Sequence, residues 1–264
     1  MRDVLIHPTA IVSDKAEIGI NVEIGPFTVI EDGVKIGDYT KIENHVHIKK
    51  GTIIGSGCHI HTGSVLGDIP QDLSFKGENS FLIIGNNVTI REYCVFHRAS
   101  GEGNATIVGD NCYLMAYVHV AHNVKIGKGV IVANATQLAG YVEIGDKAFI
   151  SGLVGVHQFV RVGSYAMVGA LYKLVKDIPP FSLCDGSPAL IYGVNVVGLR
   201  RNSFSNDRIS IIRKLFHILY DKSLSFEKRI EEISKMEYEE AKILVDFVKG
   251  SKRGIADASW RSEE

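Results

Sequence analysis

An apolar residue recurs at every sixth position through the first two thirds of the chain. Of the 29 positions up to residue 174 that are multiples of six, 26 are Ile, Val, Leu or Phe; the exceptions are Asp72, Glu78 and Glu102. A second register of small or β-branched residues lies two positions earlier, so each hexad reads as a short strand with two inward side chains. A fixed period of this kind predicts a repeat fold, in which each repeat buries its apolar face on its neighbours.

The hexad also predicts how the chain turns. Glycine often follows the apolar residue, as at Gly19, Gly37 and Gly145, and favours a sharp corner. Three flat sides and three corners would close a triangular coil of about 18 residues, and coils stacked about 4.8 Å apart form a parallel β-helix. Residues 67–80 and 98–105 are polar and break the pattern, so we expect two loops that leave the coil there.

The hexads stop after Leu174, and helical spacing takes over farther along the chain. Ile209, Ile212 and later apolar residues fall on one face of a helix. We therefore predict a β-helix over residues 1–190 and a helical C-terminal domain over residues 191–264.

Composition excludes several functional classes. The 264 residues include 29 basic and 30 acidic side chains, so charge gives no reason to expect nucleic-acid binding. No apolar run approaches the roughly 18 residues of a transmembrane helix, and the first residues lack the apolar stretch of a secretory signal. We therefore expect a cytoplasmic protein without an integral membrane segment.

Histidines cluster in the later coils. Counting by 18 residues places His122 and His157 on one edge, with His119 close by and Gly140 one coil above His122. The same count places His97 on a different edge, from which it could approach His122 only in a neighbouring copy. A homo-oligomer follows as a hypothesis, and a threefold ring is its simplest closed form.

Histidines of this kind suit two chemistries. A neutral imidazole can act as a general base near pH 7, which contributes roughly 10²–10⁴ in rate. Three imidazoles can instead hold zinc, as in the hexapeptide-repeat carbonic anhydrases. A non-enzymatic scaffold is a third class, which the grouping of histidines with polar loops argues against.

Several motifs together resemble the UDP-N-acetylglucosamine O-acyltransferase family. They are Pro70-Gln71-Asp72-Leu73, Ile90-Arg91-Glu92, His119-Val120-Ala121-His122, Leu138-Ala139-Gly140, Val156-His157-Gln158-Phe159, Gly193-Val194-Asn195 and Gly198-Leu199-Arg200-Arg201. The resemblance implies a left-handed parallel β-helix of hexapeptide repeats with a C-terminal α-helical domain. It also implies transfer of a 3-hydroxyacyl chain from acyl carrier protein to the 3-hydroxyl of UDP-N-acetylglucosamine, the first step of lipid A biosynthesis, by a homotrimer that needs no metal or cofactor.

The resemblance assigns roles to individual residues. His122 matches the general base, and the N–H of Gly140 matches the donor to the oxyanion. Residues that match substrate-binding positions are Gln71, Asp72, His97, His119, His157, Gln158, Asn195 and Arg201. Ala170 matches the position that limits acyl length, for which we expect a chain of about 12 carbons with a graded preference.

Some positions depart from the family pattern and leave alternatives open. Asn123 stands where the family often has aspartate, Tyr141 where it often has histidine, and Ser74 where it usually has lysine. These changes leave an acceptor with a 3-amino group possible. A sugar acetyltransferase that uses acetyl-CoA and the N-acyltransferase of the same pathway are further alternatives. The latter usually carries an extra N-terminal domain, for which hexads that begin at Ile6 leave no room.

Overall fold

The chain forms a left-handed parallel β-helix followed by four short helices. A computed structural model describes residues 4–259; residues 1–3 and 260–264, which the predicted domains include, lie outside the described part. Three sheets form the flat sides of the β-helix, and the chain visits them in turn. The parallel β-helix predicted from the hexads is therefore confirmed.

The strands of each sheet stack along the axis. The first sheet contains β1 (Leu5–Ile6), β4 (Glu23–Ile24), β7 (Lys41–Ile42), β10 (His59–Ile60), β13 (Thr89–Ile90), β16 (Tyr113–Leu114), β19 (Ile131–Val132), β22 (Phe149–Ile150), β25 (Met167–Val168), β27 (Ser182–Asp185) and β28 (Leu190–Val194). The second contains β2 (Ile11–Val12), β5 (Val29–Ile30), β8 (His47–Ile48), β11 (Val65–Asp68), β14 (Val95–His97), β17 (His119–Val120), β20 (Gln137–Leu138), β23 (Gly155–Val156) and β26 (Lys173–Leu174). The third contains β3 (Glu17–Ile18), β6 (Lys35–Ile36), β9 (Thr52–Ile54), β12 (Phe81–Ile84), β15 (Ala105–Val108), β18 (Lys125–Ile126), β21 (Glu143–Ile144) and β24 (Arg161–Val162).

Inward side chains of successive coils stack on one another to form the core. In the first sheet Ile60 pairs with Ile90, which pairs with Leu114, and all three are fully buried. At the N-terminal end β1 is the first described strand of the stack, and Ile6 is 45% exposed. The core is therefore a column in which each layer depends on its neighbours.

The corners differ from the expectation in one respect. The residue in the left-handed backbone conformation is the third after the inward apolar residue, and it is often bulky, as at Tyr117 and Tyr141. Glycines directly after the apolar residue serve a different purpose. A Cβ at Gly37 would lie 2.6 Å from backbone atoms of Gly55 and Ser56 in the next coil, so these glycines allow close stacking.

Both predicted loops leave the coil at one edge. We name each edge by the sheets that it joins, in chain order: first–second, second–third and third–first. The first loop connects β11 to β12 and the second connects β14 to β15, so both lie at the second–third edge. Each loop returns to the edge that it left, and a count by 18 residues is therefore invalid between them. This error misplaced His97.

The C-terminal helices follow the last coils. They are α1 (Val196–Arg201), α2 (Asn206–Leu219), α3 (Phe226–Ser234) and α4 (Glu239–Lys249). The side chains of Ser205 and Ser225 cap the starts of α2 and α3. No helix within residues 4–259 is long and apolar enough to cross a membrane. The predicted domain boundary at residue 190 falls at the start of β28, which pairs with β27, so the division stays a prediction.

Candidate active site

The second–third edge carries both predicted catalytic residues and several of the predicted substrate-binding residues. Strands β14, β17, β20 and β23 are consecutive neighbours in the second sheet. Their register aligns the corners that follow them, so His97, His122, Gly140 and His157 lie along one edge of one chain. The expectation that His97 lies on another edge is wrong.

His122 and Gly140 are in direct contact. A Cβ added to Gly140 would lie 2.7 Å from both Cε1 and Nε2 of His122, so any side chain there would displace the imidazole. Gly140 is buried, and its N–H makes no hydrogen bond to another group within residues 4–259. The site therefore brings a ring nitrogen and a free backbone donor together.

Asn123 determines which nitrogen of His122 carries the proton. Its Oδ1 accepts from the Ser100 N–H at 2.9 Å and its Nδ2 donates to the Ser100 carbonyl at 3.1 Å, which fixes the orientation of the amide. The same Oδ1 lies 2.9 Å from His122 Nδ1. Because an amide oxygen can only accept, Nδ1 donates, and Nε2 of the neutral ring is free to take a proton.

Ser100 also connects the first loop to this edge. Its hydroxyl donates to Asp72 Oδ2 at 2.9 Å, while Asp72 Oδ1 accepts from the N–H and hydroxyl of Ser74. These hydrogen bonds, led by that from the Ser74 N–H, hold the pKa of Asp72 below its usual value. Gln71 precedes this carboxylate on the exposed side of the loop. Both loops are thus tied to His122 through one buried serine.

His97 and His119 form a second histidine pair. Their rings meet edge to face with centroids 5.2 Å apart. His97 Nδ1 is 2.6 Å from the carbonyl oxygen of Ile69, which can only accept, so the proton is on Nδ1. Nε2 of His97 and Nε2 of His119 are both buried without a hydrogen-bond partner among the described residues. Two unsatisfied nitrogens at one place indicate a site for polar groups of a ligand.

Burial keeps this pair uncharged. Burial and then the neighbouring His97 lower the pKa of His119 to about 4. Burial also lowers the pKa of His97. Near pH 7 both rings are neutral, so they can exchange hydrogen bonds with a ligand but offer no positive charge.

Aromatic residues border the site on one side. The ring of Tyr141 meets His122 edge to face at 5.3 Å and stacks on Phe159 at 4.8 Å. With Asn123 they occupy successive left-handed corners, and they line a groove of about 1080 Å³ that also contains Arg161 and Arg253. The residue spacing of 18 could have identified this row, whereas no feature of the sequence identified Ser100.

The remaining predicted residues lie elsewhere. His157 and Gln158 are exposed at the second–third edge. Ala170 follows β25, at the first–second edge. Asn195 caps α1 and donates to the carbonyl of Tyr165, at the third–first edge. Arg201 ends α1 and is exposed. One chain therefore distributes the predicted residues over all three edges.

Comparison with known proteins identifies the family. A family model described as "Udp N-acetylglucosamine O-acyltransferase; Domain 2" matches residues 177–256. A model of bacterial transferase hexapeptides matches residues 33–68 and 105–140. These matches cover parts of both the helical region and the coils.

Relatives match over nearly the whole length. Acyl-[acyl-carrier-protein]–UDP-N-acetylglucosamine O-acyltransferases of Leptothrix cholodnii and Paraburkholderia phymatum are 42% and 43% identical over 95% of this chain and 98% of their own lengths. Among solved structures, a UDP-N-acetylglucosamine acyltransferase of Bacteroides fragilis has 43% identity and a TM-score of 0.92, covering 95% of this chain and 99% of the other. That of Francisella novicida has 35% identity and a TM-score of 0.93, covering 98% and 95%. The chain therefore belongs to the UDP-N-acetylglucosamine O-acyltransferase family.

Proposed function

We propose that this protein transfers a 3-hydroxyacyl group from acyl carrier protein to the 3-hydroxyl of UDP-N-acetylglucosamine, the first step of lipid A biosynthesis. The observation that carries the mechanism is the contact of His122 with Gly140. Nε2 can accept a proton there, beside the N–H of Gly140, which makes no hydrogen bond within residues 4–259. The names of the relatives supply the substrates.

The reaction follows from these two groups. The sugar hydroxyl gives its proton to Nε2 of His122 while its oxygen attacks the thioester carbonyl. The N–H of Gly140 stabilises the oxyanion of the tetrahedral intermediate. When the C–S bond breaks, the imidazolium returns the proton to the leaving thiolate. The residues of this chain thus account for every proton that moves.

The acceptor would bind between the first loop and the histidine pair. We propose that Gln71 and Asp72 bind the sugar, because the loop is tied to His122 through Ser100. The buried Nε2 of His97 is an acceptor suited to a sugar hydroxyl. His119, neutral near pH 7, would contribute a hydrogen bond rather than charge to the nucleotide.

Other predicted residues would complete the site from a neighbouring copy. We propose a homotrimer, since Ala170 and Asn195 lie at edges other than that of His122. His157 and Gln158 would flank the acyl donor, and Arg201 would provide a positive charge. The proposed homotrimer thus rests on Ala170 and Asn195 and no longer on His97. Light scattering coupled to size-exclusion chromatography should give three times the chain mass.

Acyl length would be set at Ala170. We propose a chain of about 12 carbons, with a preference that changes gradually because each buried methylene contributes about 0.8 kcal/mol. A panel of 3-hydroxyacyl carrier proteins tests this. A clear optimum at the longest donor would contradict the assignment.

The proposed function is tested by mixing the protein with a defined 3-hydroxyacyl carrier protein and UDP-N-acetylglucosamine and measuring the mass of the product. The parent chain should release the singly acylated sugar nucleotide. His122→Ala should lose at least about 10²-fold in kcat, the lower range for a general base. His45→Asn, at an exposed corner histidine, should keep full turnover and serves as the matched control. Full turnover by His122→Ala would refute the mechanism.

A sugar nucleotide with a 3-amino group is the second candidate acceptor. Asn123 favours it, because a neutral amide does not stabilise the imidazolium that deprotonation of a hydroxyl creates. Competition between the 3-hydroxy and 3-amino acceptors, followed by mass, decides which one the protein prefers.

A further inference from the structure

A second group of histidines lies outside the proposed active site, at the first–second edge. Glu43 follows β7, and His59 and His61 flank the inward Ile60 in the next coil. One ligand atom from each residue lies within 4.8 Å of the others, and this is the one such group of three within residues 4–259. Loops, helices and the proposed substrate contacts take no part in it.

The geometry centres on one carboxylate oxygen. Oε1 of Glu43 is 3.0 Å from Nε2 of His59 and 3.1 Å from Nδ1 of His61. The two rings stack with centroids 3.9 Å apart, and one nitrogen of each ring lies beside the same carboxylate oxygen. A tetrahedral zinc ion with bonds of about 2.0–2.1 Å separates its ligand atoms by about 3.3 Å. Both nitrogens already lie close to that spacing from Oε1, and all three atoms lie within 4.8 Å of one another.

The surroundings resemble those of metal ligands. The other oxygen of Glu43 accepts from the Thr62 N–H at 3.2 Å and lies 2.9 Å from the Thr62 hydroxyl, which is also 2.7 Å from Oδ1 of Asn44, so this residue holds the carboxylate in place. Oε1 of Glu92 lies 3.7 Å from Nδ1 of His61 and is held by Arg91. Glu92 or a water molecule could fill the fourth position. The three side chains are at most 36% exposed.

The chain contains a natural comparison at another edge. Glu31 and His47 make the same pair with the same 3.0 Å distance, and Lys50 N–H donates to Glu31 as Thr62 does to Glu43. At the position of His61 this pair has Lys49, which pairs with Asp68. The repeat thus builds the Glu–His pair twice and adds a third ligand once.

We propose that Glu43, His59 and His61 bind a divalent transition-metal ion, with zinc the best match to two imidazoles and one carboxylate. The ion would join two adjacent coils and stabilise the β-helix. It would take no part in acyl transfer, because none of its three ligands is a proposed catalytic or substrate-binding residue. The proposal is independent of the proposed function.

Titration of the chelator-treated protein with Co²⁺ and then Zn²⁺ tests the proposal. Histidines of the proposed active site could also bind these ions, so the comparison is between variants in a His122→Asn background. Glu43→Gln and His61→Asn should each lower the affinity for one equivalent of metal by at least about 100-fold. Each should also abolish the absorption of that equivalent as tetrahedral Co²⁺. Thr62→Val should lower the affinity for the same equivalent of metal about 10- to 100-fold.

The matched controls are Glu31→Gln and His47→Asn, which should leave the affinity for that equivalent of metal unchanged. In the same His122→Asn background, zinc should raise the melting temperature of the protein with the metal ligands unchanged and of both controls, but not that of Glu43→Gln. In an otherwise unchanged chain, His61→Asn should retain full acyl transfer. Equal zinc affinity of the parent and His61→Asn would overturn the proposal, as would equal losses in His47→Asn and His61→Asn. Either result would leave an ordinary hydrogen-bonded cluster.

Discussion

At the scale of single residues, Asn123 sets the tautomer of His122 without giving it a charge. Two contacts with the backbone of Ser100 fix its amide, and Oδ1 holds the proton of His122 on Nδ1. The sequence could predict that this position touches the base. It could not predict Ser100, because a loop residue enters the site through backbone geometry that no spacing encodes.

Asn123→Asp should therefore change the pH profile. A carboxylate beside Nδ1 stabilises the imidazolium, so the acidic limb of kcat/KM should move to higher pH by about one unit or more. Melting temperature provides the control, since the substitution also removes the donor to the Ser100 carbonyl. An acidic limb at the same pH in both proteins would show that the amide does not act through His122.

Gly140→Ala should disable the site while the fold persists. The added methyl would lie 2.7 Å from the imidazole, and displacement of a catalytic group by about 1 Å costs about 10²-fold in rate. Gly152→Ala is the matched control, at the same hexad position two residues after the inward one, where the nearest atom is 3.2 Å away. Equal kcat values for the two variants would contradict the assignment of Gly140.

His119 should make stability depend on pH. Its pKa is about 4 in the folded protein and about 6.5 in an unfolded chain, so between these values the unfolded state binds more protons. Stability should fall as the pH falls from about 6.5 to 4. Urea unfolding across this range measures the effect, and His119→Asn should flatten it. An equally steep loss in the variant would assign the dependence to other groups.

At the scale of elements, the hexad predicts every face of the β-helix but not the stacking of coils around loops. Both excursions start and end at the second–third edge, so their lengths do not rotate the coils above them. Counting residues succeeds from Val108 onward, where His122 and Gly140 meet as predicted. It fails for His97, which lies between the loops. The aromatic left-handed corners also escape prediction, because their side chains give no sign of a positive φ.

Corner glycines give an element-scale prediction. Gly37→Ala should destabilise the protein by about 1–3 kcal/mol, because its methyl would lie 2.6 Å from the backbone of the next coil. At Gly155 no atom lies within 4 Å of an added methyl group, so Gly155→Ala should change stability little. Urea midpoints measure both. A Gly37→Ala protein as stable as Gly155→Ala would mean that the coils can separate without penalty.

At the scale of the whole molecule, the proposed homotrimer would build each site from more than one copy. His122 lies at one edge, and Arg201 ends α1, which Asn195 anchors at another. Inactive His122→Ala and Arg201→Ala chains, unfolded and refolded together, should therefore recover activity. Equal mixing in a ring of identical sites restores about a quarter of them. Each variant refolded alone is the control. If the mixture recovers no activity, both residues belong to a site formed by one chain.

The proposed catalytic and binding groups face outward along different edges of the β-helix. If the copies of the proposed homotrimer separate, each site would lose the residues that another copy supplies. Dilution should then lower the specific activity reversibly, so the specific activity would depend on the concentration of the protein.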